Sequence, residues 1–238
     1  MNNNTFDKEK DTAVEYKLHY HNLIETDTAI FGGTFNPIHY GHLRVAEEVR
    51  ERLGLRSILF IPSSIPPLKT MDVIDAEHRL NMVKLAVSDN PFFDISDIEC
   101  RRPGVSYTVD TLNILIREHS LSSPLFVLGT DAFLELPLWH KPEDVVKLTD
   151  FVVVTRPHYD VSELLGSPFV KKKRPLYENA GISVFELITG KRAIVLRCTN
   201  LDISASFIRE SIRNGRSIRY LVPESVISYI TEHNLYRG

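Results

Sequence analysis

The sequence predicts an α/β protein, a single doubly wound domain with a mostly parallel sheet and helices on both faces. Three observations predict it. The strand candidates are uniformly apolar, as in strands that are buried on both faces. Segments with helical periodicity separate these strands. The glycine-rich and polar segments follow directly after strands, where open α/β sheets bind their ligands.

The composition of the 238 residues is that of an ordinary globular protein, with 43% hydrophobic and 25% charged residues. A net charge of -3 gives no general attraction to nucleic acid or to membranes. The two cysteines, Cys100 and Cys198, are too few for a disulfide framework and indicate reduced thiols. The chain start has no apolar signal core, and no apolar run approaches the roughly 20 residues of a membrane span. We therefore expect a cytoplasmic protein, and the sequence leaves a homo-oligomer open.

Residues 1–26 are polar and mixed in charge, and they have no clear period. We expect a poorly ordered or variable N-terminal extension. His19 and His21 lie in it, and a solvated tail is favoured over a metal site because a site needs three or four converging ligands. Residues 27–238 carry the alternating pattern without a repeat or a linker, so we expect them to form the one domain.

Six apolar runs are expected to form the strands of the sheet. They are residues 29–31, 57–62, 92–95, 125–129, 151–154 and 193–196. The run at 92–95 is the weakest of them. Residues 156–191 give no readable pattern.

The helices are predicted from periodicity and from their end signals. Leu43, Ala46, Val49 and Leu53 recur at helical spacing, and Gly54 suits the C-terminus of that helix. The other predicted helices cover residues 75–87, about 107–118, a short stretch after 129, 204–214, and 224 to about 232.

The segment from Gly32 to His42 joins the first strand to the first helix. Gly32 and Gly33 lack a Cβ, so a phosphate can approach the backbone, and the helix start offers free N–H groups. The segment is neither the G-x-G-x-x-G fingerprint nor a P-loop. His39 and His42 share a face of the helix start and can donate to phosphate oxygens. A zinc pair is disfavoured because it has no third ligand at a recognisable spacing; a purely structural pair is the other alternative.

A second candidate anion site lies near the end of the chain. Ser204 and Ser206 stand at the start of a predicted helix, and Arg209 follows within one or two turns. N-capping alone accounts for the serines. Hydroxyls, free N–H groups and a guanidinium also suit a polyphosphate clamp. Two anion sites at opposite ends of the domain favour one ligand with several phosphates.

The motifs resemble those of a known family. Residues 32–42 resemble the Gly-x-Phe-Asp/Asn-Pro-x-His-x-Gly-His signature of the nucleotidyltransferase superfamily, and residues 203–209 resemble its Ile-Ser-Ser/Ala-Thr/Ser-x-Ile-Arg motif. Further segments are similar to motifs of bacterial nicotinate-nucleotide adenylyltransferases, namely Pro66 to Lys69, Arg79 to Ala86, Ser106 to Leu112, and Gly129 to Asp131 followed by Trp139. The resemblance covers about residues 27–235 and implies a Rossmann-like domain.

The chain departs from the family pattern at three places. Leu68 replaces a histidine, and this puts one polar contact near the nicotinate end in doubt. Ala205 replaces a frequent serine but leaves Ser204 and Ser206 in place. Asn36 stands where aspartate is common, which we interpret as a mild variation.

The resemblance implies adenylyl transfer from ATP to nicotinate mononucleotide, a step of NAD biosynthesis that gives nicotinate adenine dinucleotide and pyrophosphate. Mg²⁺ is implied with ATP, without a ligand from a protein side chain. The partners are then small molecules, and neither nucleic acid nor a membrane is expected; the basic run at 171–174 is interpreted as a solvated loop. An adenylyltransferase for another acceptor, nicotinamide mononucleotide or phosphopantetheine, stays open, as does a non-catalytic nucleotide-binding regulator.

The resemblance also assigns roles to residues. His42 contacts the reacting phosphate and His39 orients the triphosphate, so both are candidate catalytic residues. The candidate ATP-binding residues are Gly32, Gly33, Thr34, Phe35, His39, His42, Gly129, Asp131, Ser204, Ser206 and Arg209. The candidates for binding nicotinate mononucleotide are Lys69, Tyr107, Thr108 and Trp139. Trp139 offers a flat surface for stacking on the nicotinate ring, with core packing as its alternative.

Overall fold

The computed structural model describes residues 24–67, 72–118, 121, 123–155, 161–171, 174–179, 181–199 and 201–237. The strands are β1 (Thr28–Gly33), β2 (Ser57–Pro62), β3 (Phe93–Ile95), β4 (Leu125–Gly129), β5 (Asp150–Thr155), β6 (Tyr177–Asn179), β7 (Ile182–Glu186) and β8 (Arg192–Arg197). The α-helices are α1 (Tyr40–Leu53), α2 (Ala76–Val87), α3 (Thr108–Glu118), α4 (Thr130–Leu134), α5 (Pro142–Leu148), α6 (Ala205–Arg213) and α7 (Glu224–Glu232). Short 3₁₀ helices cover Leu136–Leu138 and Val161–Gly166.

The strands form one sheet in the order β3-β2-β1-β4-β5-β8-β7-β6. Every neighbouring pair from β3 to β8 is parallel, and β7 and β6 add an antiparallel edge. The chain leaves β1 towards β2 and later returns to pair β4 on the other side of β1. The carboxyl ends of β1 and β4 therefore flank the crevice in which doubly wound sheets bind ligands. The predicted mostly parallel, Rossmann-like sheet is confirmed.

Apolar side chains of each central strand alternate between two cores, one on each face of the sheet. In β1, Ala29 and Phe31 face one core and Ile30 faces the other. Residues of α1, α2, α6 and α7 pack into the first core, and residues of α3, α4 and α5 pack into the second. Because helices cover both faces, buried strands read as continuous apolar runs in the sequence.

The predicted strands and helices are present, with boundaries shifted by a few residues. At the site, α1 begins at Tyr40, so His39 is its N-cap residue. The helix α5 was not predicted from the sequence; it is a two-turn helix in which only Val145 and Val146 are buried. Strands β6 and β7 were not predicted either. They pair antiparallel, so no crossover helix separates them in the sequence and marks them as strands.

Residues 1–23 lie outside the described residues, so the N-terminal extension stays a prediction. Among the helices of the described ranges, none is long and apolar enough to cross a bilayer.

Candidate active site

A cavity of about 740 Å³ opens at the carboxyl ends of the central strands. Gly33 after β1, Gly129 after β4, Thr155 after β5 and Cys198 after β8 all line it. The starts of α1 and α6 close its other side, so two helix N-termini meet at one cavity. Free N–H groups and the positive dipole end of each helix favour an anion there.

The charged groups of the lining point to the same class of ligand. Arg209 is the one permanent cation among the described lining residues, and none of them is a carboxylate. Burial raises the pKa of the Cys198 thiol to about 12, so the thiol stays protonated and offers no nucleophile at neutral pH. The cavity is therefore suited to bind a polyanion rather than a cation.

His39 and His42 form a stacked pair at the start of α1. Their ring centroids are 3.7 Å apart with planes inclined by 27°. The backbone N–H of His39 donates to Nδ1 of His42 over 3.3 Å, and the ring of Phe35 meets His42 edge-on at 5.2 Å. Since Nδ1 of His42 accepts a hydrogen bond, the neutral ring carries its proton on Nε2. The pair therefore presents an N–H donor held in place by backbone and packing.

Glycines near the pair serve packing as well as ligand access. A Cβ on Gly32 would lie 2.8 Å from the Phe126 ring, and one on Gly33 would lie 3.0 Å from the Phe35 ring. Packing against the protein's own rings is thus a second reason for these two glycines. The close approach of a phosphate stays a prediction. A Cβ on Gly129, in contrast, would have no described protein atom within 4 Å.

Arg209 links α6 to the loop between β1 and α1. Its Nη1 donates to the carbonyl oxygen of Asn36 over 2.9 Å, and its Nη2 donates to Oγ of Ser206 over 3.4 Å. Ser204 is the N-cap of α6, and its Oγ accepts from the N–H of Phe207 over 3.2 Å. Ser204 therefore stabilises the helix start, and Ser204, Ser206 and Arg209 all line the cavity.

Arg79 of α2 holds together the loops that follow β1 and β2. Its side chain is 0% exposed. It donates to four carbonyl oxygens at 2.6–2.9 Å, those of Thr34, Ser63, Ser64 and Ile74. A buried guanidinium is stable only where such partners satisfy its donors. Arg79 thus fixes the backbone of the turn that leads to His39 and His42.

Comparison with known proteins identifies the relatives of this chain. The cytidylyltransferase-like family model matches residues 30–211. The probable nicotinate-nucleotide adenylyltransferase of Geobacter metallireducens is 44% identical over 210 residues, which are 88% of this chain and 97% of that protein. The probable nicotinate-nucleotide adenylyltransferase of Dehalococcoides mccartyi strain CBDB1 is 42% identical over 216 residues, 90% of this chain and 98% of that protein. The chain belongs to the nicotinate-nucleotide adenylyltransferase family.

A solved structure of similar architecture supports the fold. The nicotinic acid mononucleotide adenylyltransferase of Plasmodium falciparum, in complex with NaAD, superposes with a TM-score of 0.69. Its sequence is 22% identical, and the match covers 89% of this chain and 98% of that one. The family resemblance that the motifs predicted is confirmed, and so is the doubly wound fold.

Of the residues predicted for ATP, most meet at the cavity of this adenylyltransferase-family chain. The lining includes Gly33, Thr34, Phe35, His39, His42, Gly129, Ser204, Ser206 and Arg209. Gly32 lies within β1 beside Phe126, and exposed Asp131 lies in the first turn of α4, so neither belongs to the lining.

The residues predicted for the mononucleotide lie apart from that lining. Trp139 is half-buried and meets Phe126 edge-on at 6.3 Å, while Tyr107 stacks on His140 at 4.2 Å. Thr108 opens α3. Lys69 falls outside the described residues. The structure therefore brings the phosphate-side residues together and leaves the acceptor side as a separate group of aromatic residues.

Sequence reasoning missed several residues that build the site. Arg79 had a signal, a cation next to the apolar residues of a predicted helix, but was noted only as part of a motif. Asn36 looked like a mild variation, and Gly41 was noted only as part of a motif. Their importance comes from contacts between segments distant in sequence, which local patterns do not record.

Proposed function

We propose that this chain transfers the adenylyl group of ATP to nicotinate mononucleotide, giving nicotinate adenine dinucleotide and pyrophosphate in NAD biosynthesis. The observation that carries the proposal is the oriented His39–His42 pair, which lines one cavity together with Arg209. None of the described residues that line this cavity is a carboxylate. The 44% identity to a nicotinate-nucleotide adenylyltransferase supports the same reaction.

The reaction needs positioning and charge stabilisation rather than a base. A phosphate oxygen of the mononucleotide attacks the α-phosphorus of ATP in line. The bond from that phosphorus to the bridging oxygen of the β-phosphate breaks, and pyrophosphate leaves with the electron pair. Because the attacking phosphate is already an anion at neutral pH, no proton has to be removed from it. Catalysis then comes from donors that stabilise the charge developing on the transferring and leaving groups.

The cavity residues have clear roles in this scheme. Nε2 of His42 donates to the α-phosphate, and the stacked His39 ring holds His42 and orients the triphosphate. Ser206, Arg209 and the N-terminus of α6 hold the β- and γ-phosphates. Gly129 leaves room for the nucleoside, and Asp131, in the first turn of α4, binds the ribose hydroxyls.

The acceptor lies on the side of the aromatic group. Trp139 stacks on the nicotinate ring, and Tyr107, Thr108 and Lys69 complete the mononucleotide site. A partly buried indole suits this role since it presents a large flat face to a heteroaromatic acid.

We expect Mg²⁺ to reach the site bound to ATP. Mg²⁺ prefers oxygen ligands, which the phosphates and water supply, and the described lining residues offer it no carboxylate. The ion supplies neutralisation of the triphosphate charge, and we assign it no protein ligand.

The direct test compares turnover with binding. His42→Ala is expected to abolish pyrophosphate release from ATP and nicotinate mononucleotide while ATP binding is largely kept. His233→Ala, at an exposed histidine of the C-terminal region, is the matched control and should behave as wild type. Wild-type protein that binds ATP but releases no pyrophosphate with any acceptor would support a nucleotide-binding regulator instead.

A further inference from the structure

Asn36, in the loop between β1 and α1, is the meeting point of four segments. Its side chain is buried, with 5% of the residue exposed. Its Nδ2 donates to the carbonyl oxygen of Asp72 over 2.6 Å. Its Oδ1 accepts from the N–H of Ile74 over 3.4 Å and from the hydroxyl of Tyr236 over 2.9 Å. An aspartate here would lack the donor to Asp72, so the amide is suited to this arrangement.

Tyr236 reaches Asn36 from the far end of the chain, 200 residues away in sequence. It follows α7 with a left-handed backbone, at a φ of 64°. Its ring packs against the core that α1, α2, α6 and α7 cover. Burial raises the pKa of its hydroxyl, so the group remains an O–H donor throughout the neutral range.

Arg209 depends on the same loop. Its Nη1 donates to the backbone carbonyl of Asn36. Its Nε is buried and has no hydrogen-bond partner among the described residues. The position of the guanidinium in the cavity is therefore set mainly by where the carbonyl of Asn36 lies, and by Ser206.

We propose that Tyr236 is a positioning residue of the ATP site. Its hydroxyl holds the Asn36 side chain, which keeps the Asn36 carbonyl in place to orient Arg209 towards the polyphosphate. The C-terminal segment thereby controls affinity for ATP without touching the nucleotide. This inference rests on the proposed function for the identity of the ligand, but its binding test does not require turnover.

Tyr236→Phe tests the chain of contacts because it removes one oxygen and keeps the ring. We expect KM for ATP and the Kd for ATP, measured without acceptor, to rise roughly three- to tenfold, the effect of one hydrogen bond. KM for nicotinate mononucleotide should stay unchanged. Tyr229→Phe is the matched control: it removes a hydroxyl from α7 that contacts His78 and Asn81 instead. That control should keep wild-type affinity for ATP.

A double-mutant cycle with Arg209→Lys shows whether the effect passes through Arg209. In the Arg209→Lys background, Tyr236→Phe should change the Kd for ATP by less than twofold, since the coupled group is gone. Tyr236→Phe protein that melts at a lower temperature but binds ATP as wild type would overturn the inference and leave a structural role only. Full additivity with Arg209→Lys would overturn it as well. If wild type binds ATP but never releases pyrophosphate, the proposed function fails while the binding cycle still decides this inference.

Discussion

Gly41 lies directly against the imidazole of His39. A Cβ on Gly41 would be 3.0 Å from Nδ1 and 3.1 Å from Cε1 of that ring. The ring has little room to retreat, because it stacks on His42 at 3.7 Å. The glycine between the two histidines is therefore a requirement of their stacking.

Gly41→Ala should reduce kcat by about tenfold or more, because the displaced His39 ring shifts His42 from its working position. Alanine is the better helix residue, so the free energy of unfolding should change by less than about 1 kcal/mol. Steady-state kinetics and chemical denaturation check the two parts. Gly166→Ala is the control, since a Cβ there has no described atom within 4 Å. An unchanged kcat would show that the stacked geometry is unimportant.

Gly129→Ala separates ligand access from packing. The backbone of Gly129, at φ -76° and ψ 163°, accepts alanine, and the space beside it is open. We expect the free energy of unfolding to change by less than about 1 kcal/mol. KM for ATP should rise, because the new methyl group occupies space that the nucleoside needs. If KM for ATP matches that of wild type, the nucleotide does not pass close to this residue.

Ser204 and Ser206 should differ when each is changed to alanine. Ser204→Ala removes the N-cap bond of α6 and should cost about 1 kcal/mol of stability. Ser206→Ala removes no cap, but it loses a hydroxyl beside Arg209 and should mainly raise KM for ATP. Denaturation midpoints and ATP titrations of both variants test this division. The reverse pattern would mean that Ser204, rather than Ser206, contacts the phosphates.

Glu99 should make stability depend on pH. Burial raises the pKa of its carboxyl, although Thr111 donates to it over 2.6 Å and Ser106 also bonds to it. An acid whose pKa is higher in the folded state binds more protons there than in the unfolded chain. The contribution of Glu99 to stability is then fully present below the unfolded pKa of about 4.3 and is lost as pH rises through the folded pKa.

Glu99→Gln removes this titration. Between about pH 4.3 and neutrality, the free energy of unfolding of the variant should fall less with rising pH than that of wild type. Urea denaturation across that range measures it. Identical pH profiles for variant and wild type would show that Glu99 ionises at its ordinary pKa.

How far the sequence predicts the structure differs between the sheet and the site. Apolar runs such as 125–129 and 151–154 predict the buried parallel strands because burial on both faces leaves a continuous signal. The histidines and Ser204 to Arg209 are recognisable because each group lies close together in sequence at a helix start. Arg79, Asn36 and Tyr236 are not, since their roles arise from hydrogen bonds between segments that only the fold brings together.

The most direct measurement of the central claim is the rate of pyrophosphate release from ATP with three acceptors in parallel, namely nicotinate mononucleotide, nicotinamide mononucleotide and phosphopantetheine. We predict the highest kcat/KM with nicotinate mononucleotide and the formation of nicotinate adenine dinucleotide in equal amount to pyrophosphate. A higher kcat/KM with either of the other acceptors, or ATP binding without pyrophosphate release from any of them, would contradict the account.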